Sequence, residues 1–159
     1  MADRPKTMRE RQVLRVFHWW FLLSRPMTLG VRAMVLDGED RVLLVRHTYV
    51  PGWHFPGGGV ERGETVLASL ARELAEEGNI VMEEEPRLHG IFFNKAVSPR
   101  DHVAVYIVRR FRQTGPHIPD REIAEVRFFA RDALPEGAGR ATRARLAEVL
   151  YGAAVAPLW

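Results

Sequence analysis

Along the chain the apolar residues keep changing their spacing, and each change marks an element. "TLGVRAMVLDGEDRVLLVRHTYV", beginning at Thr28, holds two runs rich in Val, Leu and Met around Asp37-Gly38-Glu39-Asp40. Asp-Gly between such runs predicts a β-hairpin. "GWHFPGGG" is punctuated by Gly and Pro and reads as a loop. From Glu64 to Glu77 the spacing becomes helical: Leu67, Leu70, Ala71 and Leu74 fall at i, i+3, i+4 and i+7 on one face. Pro86 and the acidic "MEEEP" mark a loop, with Glu83-Glu84-Glu85 as a solvated turn. "RLHGIFFNKAV" and "HVAVYIVRRFR" read as strands joined through "SPRD", and "EVRFFA" as a further short strand. "RATRARLAEVL" supplies a last helix, over about 139–151. Strands with helices before, among and after them predict an α/β (α+β) sandwich.

The amino-terminal "VFHWWFLLSRP" follows the basic "RPKTMRERQVLR". Its apolar run is too short to span a bilayer and ends on Arg-Pro rather than a small-residue cleavage site. It reads as a helical extension over 1–26, packed on its own domain. A basic aromatic helix could also lie on a membrane or form a dimer contact. The remainder, 27–159, reads as one domain.

Composition narrows the chemistry. The chain has 159 residues, 47% hydrophobic and 27% charged, enough for a core without staples. It contains no cysteine, which excludes disulfides, thiolate zinc sites and cysteine nucleophiles and points to a cytoplasmic protein. The formal charge of +3 suits a polyanionic small molecule, and no Lys/Arg block implies a DNA partner.

The candidate chemistry lies in "GGGVERGETVLASLARELAEEGNI". Glu73, Glu76 and Glu77 span an arc of roughly 100° beside the apolar stripe. Crowded carboxylates repel by a few tenths of a kcal/mol per pair, roughly, and a divalent cation reverses that sign. Mg²⁺ or Mn²⁺ prefers such oxygen donors. Gly57, Gly58 and Gly59 let the backbone approach a metal or a phosphate. Taken alone, the acids are equally a solvated helix face, and the glycines a plain loop.

In register, however, Gly58, Glu64, Arg72, Glu73, Leu74, Glu76, Glu77 and Ile80 resemble the Nudix box, G-x5-E-x7-R-E-U-x-E-E-x-G-U, where U is aliphatic. Asn79 replaces the last glycine; Asn is the second choice for a left-handed residue after a helix, and Gly78 could also absorb the turn. The resemblance implies an α/β/α sandwich with a mixed central sheet and Mg²⁺- or Mn²⁺-dependent hydrolysis of a nucleoside diphosphate linked to another moiety. It implies metal ligands at Glu73, Glu76, Glu77 and the Gly57 carbonyl, a Glu64 that orients the site or reaches the metal through water, and an Arg72 paired to a box carboxylate. The general base would be Glu76, Glu77, Glu122 or Glu125.

Substrate contacts are expected from Gly58 and Gly59. Arg46 is a phosphate contact or a surface charge; Trp53, Tyr49 and Phe92 are stacking residues or packing. The histidines, His47 and His54 among them, read as structural or solvent-facing. A proline fifteen or sixteen residues past the box would suggest an ADP-ribose hydrolase, and a tyrosine nearby a diadenosine-polyphosphate hydrolase. Lys95 and Ala96 stand at the proline positions and no tyrosine is present. ADP-ribose or a nucleotide sugar is the expected substrate, with a nucleoside triphosphate as the alternative. A non-catalytic sensor is disfavoured by the complete acidic set. An isomerase of isopentenyl-diphosphate type is excluded because its cysteine is missing. Some family members pair as homodimers, and the aromatic extension is the candidate contact.

Overall fold

The structure, a computed structural model, describes residues 8–24 and 26–159. The basic residues Arg4, Lys6 and Arg25 of the expected extension lie outside the described residues. The elements are α1 (Met8–Ser24), β1 (Thr28–Val35), β2 (Val42–His47), α2 (Val66–Gly78), β3 (Ile80–Met82), β4 (Arg87–Phe93), β5 (Asp101–Val108), β6 (Phe111–Gln113), β7 (Ile123–Phe129) and α3 (Arg140–Tyr151).

β1 pairs in parallel with β5, which pairs antiparallel with β4, giving a mixed sheet; β2 pairs with β7, and β3 with β6. Period-two alternation sends successive side chains to opposite faces. Val31, Ala33 and Val35 of β1 join Leu70 and Leu74 of α2 in one core. Met34 and Leu36 join Val42, Leu44, Phe129 and Leu146 of α3 in another. The two helices therefore cover opposite faces, the α/β/α sandwich that the sequence implied.

The expected hairpin is corrected in part. Its turn is present: the Asp37 N–H donates to the Arg41 carbonyl, 3.1 Å, and Leu36 bridges Val42. Beyond that bridge β1 turns to β5 and β2 to β7, because each strand has a longer apolar partner elsewhere. "HVAVYIVRRFR" is likewise two strands, broken at Arg109-Arg110, whose carboxyl-terminal half pairs with β3. α1 leaves Phe17, Trp19 and Trp20 exposed instead of burying them on the domain as expected. No described helix is long and apolar enough to cross a membrane.

Candidate active site

α2 starts where Thr65, in an extended conformation, accepts the Ala68 N–H on its side-chain oxygen, 3.1 Å. It ends at Asn79, whose φ of 54° is left-handed and whose N–H reaches the Leu74 carbonyl. Asn79, not Gly78, takes the turn, and its amide also donates to the Pro116 carbonyl, 3.1 Å. Leu70 and Leu74 fix the roll of the helix against β1, which leaves Arg72, Glu73, Glu76 and Glu77 along its edge toward the glycine loop.

That loop is laced to β1. Val31 N–H donates to Gly58 O, 2.8 Å, Ala33 N–H to Pro56 O, 2.9 Å, and Val60 N–H to Leu29 O, 2.9 Å. Ser69 Oγ donates to Gly59 O, 3.1 Å. Along Pro56–Gly59 only the Gly57 carbonyl accepts no hydrogen bond from the described residues. Gly57 is sterically required: its φ is +137° and a Cβ there would strike the Val31 carbonyl. A side chain at Gly58 would displace the Glu73 carboxylate.

Arg72 gathers three acids. Its Nε and Nη2 fork onto Glu64, 3.1 and 3.3 Å, while Nη1 reaches Glu73 at 2.8 Å and Glu76 at 3.2 Å. Hydrogen bonding to Arg72, helped by the Glu61 N–H, holds Glu64 below its ordinary pKa. Glu64, then Glu73, raise the pKa of Arg72. Such forked, charge-assisted contacts fix geometry as well as charge.

Glu77 is held apart from this group. It is 8% exposed and accepts the Gly57 N–H on Oε2 at 2.7 Å. Burial raises its pKa to about 7; Gly57 and Arg32 pull it down, and Glu73 and Glu122 push it up. Below it stands Arg32 of β1, whose Nη1 is enclosed and has no hydrogen-bond partner. Burial lowers the Arg32 pKa, opposed by Glu77 and then Glu73. His47 Nε2 lies 3.7 Å from Glu77 Oε1. Burial, then Arg32 and His54, lower the His47 pKa, so at neutral pH this contact is not an ion pair.

The other expected residues divide. Arg46 pairs with Glu125, 3.1 Å, and sits over Trp53 at 5.8 Å. Tyr49 is exposed, its ring 5.4 Å from His47. Glu122 reaches Glu77 only through its charge. Trp53 and Phe92 are corrected as stacking residues. Trp53 is buried edge-on against Phe129, 4.7 Å, and Phe92 lies in the core under the Arg145 guanidinium, 3.9 Å. Arg32 escaped the sequence reading; its one signal was a charge inside the apolar strand "LGVRAMV".

As placed, no three His, Asp or Glu side chains among the described residues are grouped to hold an ion; Arg72 draws Glu64, Glu73 and Glu76 to itself. The donor chemistry nevertheless fits a hard divalent cation: carboxylate oxygens, one unused carbonyl at Gly57, and a Glu77 that lacks a paired cation at hydrogen-bond distance.

A NUDIX domain family model matches residues 26–150. The human 8-oxo-dGDP phosphatase NUDT18 is 29% identical over 121 residues, 71% of this chain and 35% of that protein. The chain thus spans about a third of the length of the first curated relatives it matches. Among solved structures, a MutT NUDIX hydrolase from Burkholderia pseudomallei superposes with a TM-score of 0.66 at 27% identity, covering 77% of this chain and 97% of that one. An ADP-ribose pyrophosphatase from Streptococcus suis gives 0.64 at 25% identity, covering 83% and 96%. With the family model spanning most of the chain and the acidic helix seated against its glycine loop, the chain belongs to the Nudix family.

Proposed function

We propose that the protein hydrolyses the diphosphate linkage of a nucleoside diphosphate joined to a second moiety, ADP-ribose or a nucleotide sugar, with Mg²⁺ or Mn²⁺. The observation that carries this reading is Glu77: anchored by the Gly57 N–H, raised to about 7 by its burial, and without a paired cation at hydrogen-bond distance. The likeness to the S. suis ADP-ribose pyrophosphatase supports the substrate class. The name of the human relative favours a second reading, a free nucleotide polyphosphate.

Glu73, Glu76, Glu77 and the Gly57 carbonyl would hold the cation. When bound, it supplies Lewis acidity to the diphosphate and to the attacking water. Arg72 keeps Glu64 ionised and orients Glu64, Glu73 and Glu76. Gly58 and Gly59 let the diphosphate approach the backbone, and Arg32, Arg46 and Tyr49 line its approach. The proton of the attacking water goes to a carboxylate, Glu76, Glu77, Glu122 or Glu125. Burial raises the Glu77 pKa to about 7, close to neutral pH.

A panel of ADP-ribose, nucleotide sugars and nucleoside triphosphates, each with Mg²⁺ or Mn²⁺, tests the reading. The expected result is nucleoside monophosphate released from the linked diphosphates. Inactivity across the panel overturns it in favour of a sensor.

A further inference from the structure

Beside the glycine loop a cavity of about 300 Å³ opens between the starts of β1 and β5, with Arg32, Gly58, Asn94, Asp101 and Trp159 among its lining. Its two ends differ in chemistry. One end is Arg32 and the glycine loop, shared with the candidate active site. At the other, Asp101 accepts the Thr28 hydroxyl on Oδ1, 2.6 Å, and the Asn94 amide on Oδ2, 2.8 Å. An ionised carboxylate has about four acceptor sites, so roughly two remain for a ligand. Asn94 is itself buried and gives one of its two amide N–H donors to Asp101, leaving its carbonyl oxygen as a further acceptor. This end therefore calls for hydrogen-bond donors.

The third wall is built from distant sequence. The segment after α3 returns to the edge of β4: Phe93 N–H donates to Pro157 O, 3.0 Å, and Trp159 N–H to Phe93 O, 3.0 Å. Arg145, buried, donates to the Leu158 carbonyl at 2.9 Å, and Glu148 accepts the Ala156 N–H at 3.0 Å. These tethers set Trp159 at the cavity, where its ring system offers a planar ligand an aromatic surface.

We propose that this cavity is a nucleobase subsite that prefers bases bearing an exocyclic amino group over uracil, with Asp101 and Asn94 accepting from that group and Trp159 as the aromatic wall. The inference rests on the nucleotide reading above, because a base joined to a diphosphate at the glycine loop falls within reach of the cavity. A base that offers a carbonyl oxygen to Asp101 instead leaves an acceptor facing an acceptor, which is the penalised arrangement.

Binding of AMP and UMP to the full chain, measured by calorimetry without metal, tests the subsite independently of hydrolysis. AMP is expected to bind about tenfold more tightly, the scale of one charge-assisted hydrogen bond. Asp101→Asn turns an acceptor into a possible donor and should reduce that preference to near unity. Equal affinities in the wild type, or a preference that a folded D101N retains, overturn the proposal. Should D101N fail to fold, Trp159→Ala carries the test. It is expected to weaken both nucleotides by about fivefold or more, the scale of base–aromatic stacking, and an unchanged AMP affinity overturns the proposal. A preference for AMP in a protein that hydrolyses nothing would sustain the subsite while removing the hydrolase reading.

Discussion

Glu77 and Glu148 are each 8% exposed, yet their carboxyls are displaced in opposite directions. Burial pushes both upward. At Glu148 that push is overcome by the Ala156 N–H, by His89 at 2.7 Å and by Arg145, and the pKa falls below its ordinary value. At Glu77 the Gly57 N–H and the charge of Arg32 are too little, and the pKa rises to about 7. Two acids of similar exposure thus separate into a compensated ion cluster, which ties the tail to α3, and a more strongly desolvated, uncompensated acid beside a glycine loop. A buried charge that the protein has fully paired is structural; one that it leaves wanting a cation is a candidate for chemistry.

The largest expected effect is at the unpaired acid. Glu77→Gln should lower turnover by about 10²- to 10⁴-fold, the range for losing a positioned acid–base group, without lowering the melting temperature. Near-wild-type rates at saturating metal would break the comparison at its functional end.

Glu148→Gln should show the reverse. It leaves Arg145 buried without its counter-charge and should cost about 3–5 kcal/mol of stability, read by denaturant unfolding. Turnover of the fraction still folded should change little. A fall in turnover matching that of E77Q would erase the distinction between the two acids.

Arg72→Ala comes next. Its guanidinium is partly exposed, so little stability is expected from it. Its role is to hold Glu64, Glu73 and Glu76 in one arrangement, and turnover should fall by roughly tenfold or more. Arg72→Lys should not restore it, since an ammonium cannot fork onto Glu64.

pH sharpens the contrast. A carboxyl with a raised folded pKa contributes stability in full below its ordinary value near 4.5 and loses it as pH rises through about 7. His47, shifted the other way, adds stability as pH rises from its lowered value up to its ordinary value near 6.5. The melting temperature of metal-free E77Q relative to wild type should therefore climb between about pH 5 and 8. Glu148 should show itself only in acid, where its stabilisation is lost as pH falls through its lowered value.

The smallest effect is expected at Asn79. Asn79→Gly suits the left-handed φ of 54° but removes the hydrogen bond to Pro116, so stability should move by no more than about 1 kcal/mol.

These two acids were unequally legible in the sequence. Glu77 was readable because its partners follow one another along a single loop and helix, where spacing alone sets the geometry. Glu148 was not: Arg145 stands one turn before it on α3, but His89 of β4 and the Ala156 N–H reach it only through tertiary packing. Arg32 escaped for the same reason: its depth under Glu77 depends on β1 pairing with β5, not on local pattern. The Asp-Gly turn was legible, but the partners of the strands leaving it were settled by longer-range burial. Trp53 and Phe92 show the converse error. Their aromatic character suits stacking on a base, and only the tertiary structure shows each ring committed to the core.

Glu77 as the ligand of a divalent cation is tested most directly by Mn²⁺ binding, followed by electron paramagnetic resonance on wild type and E77Q at pH 8. Affinity is expected to fall at least about tenfold in E77Q, the loss of one charged oxygen donor, with the fold retained. Equal Mn²⁺ affinity in the two proteins would contradict it.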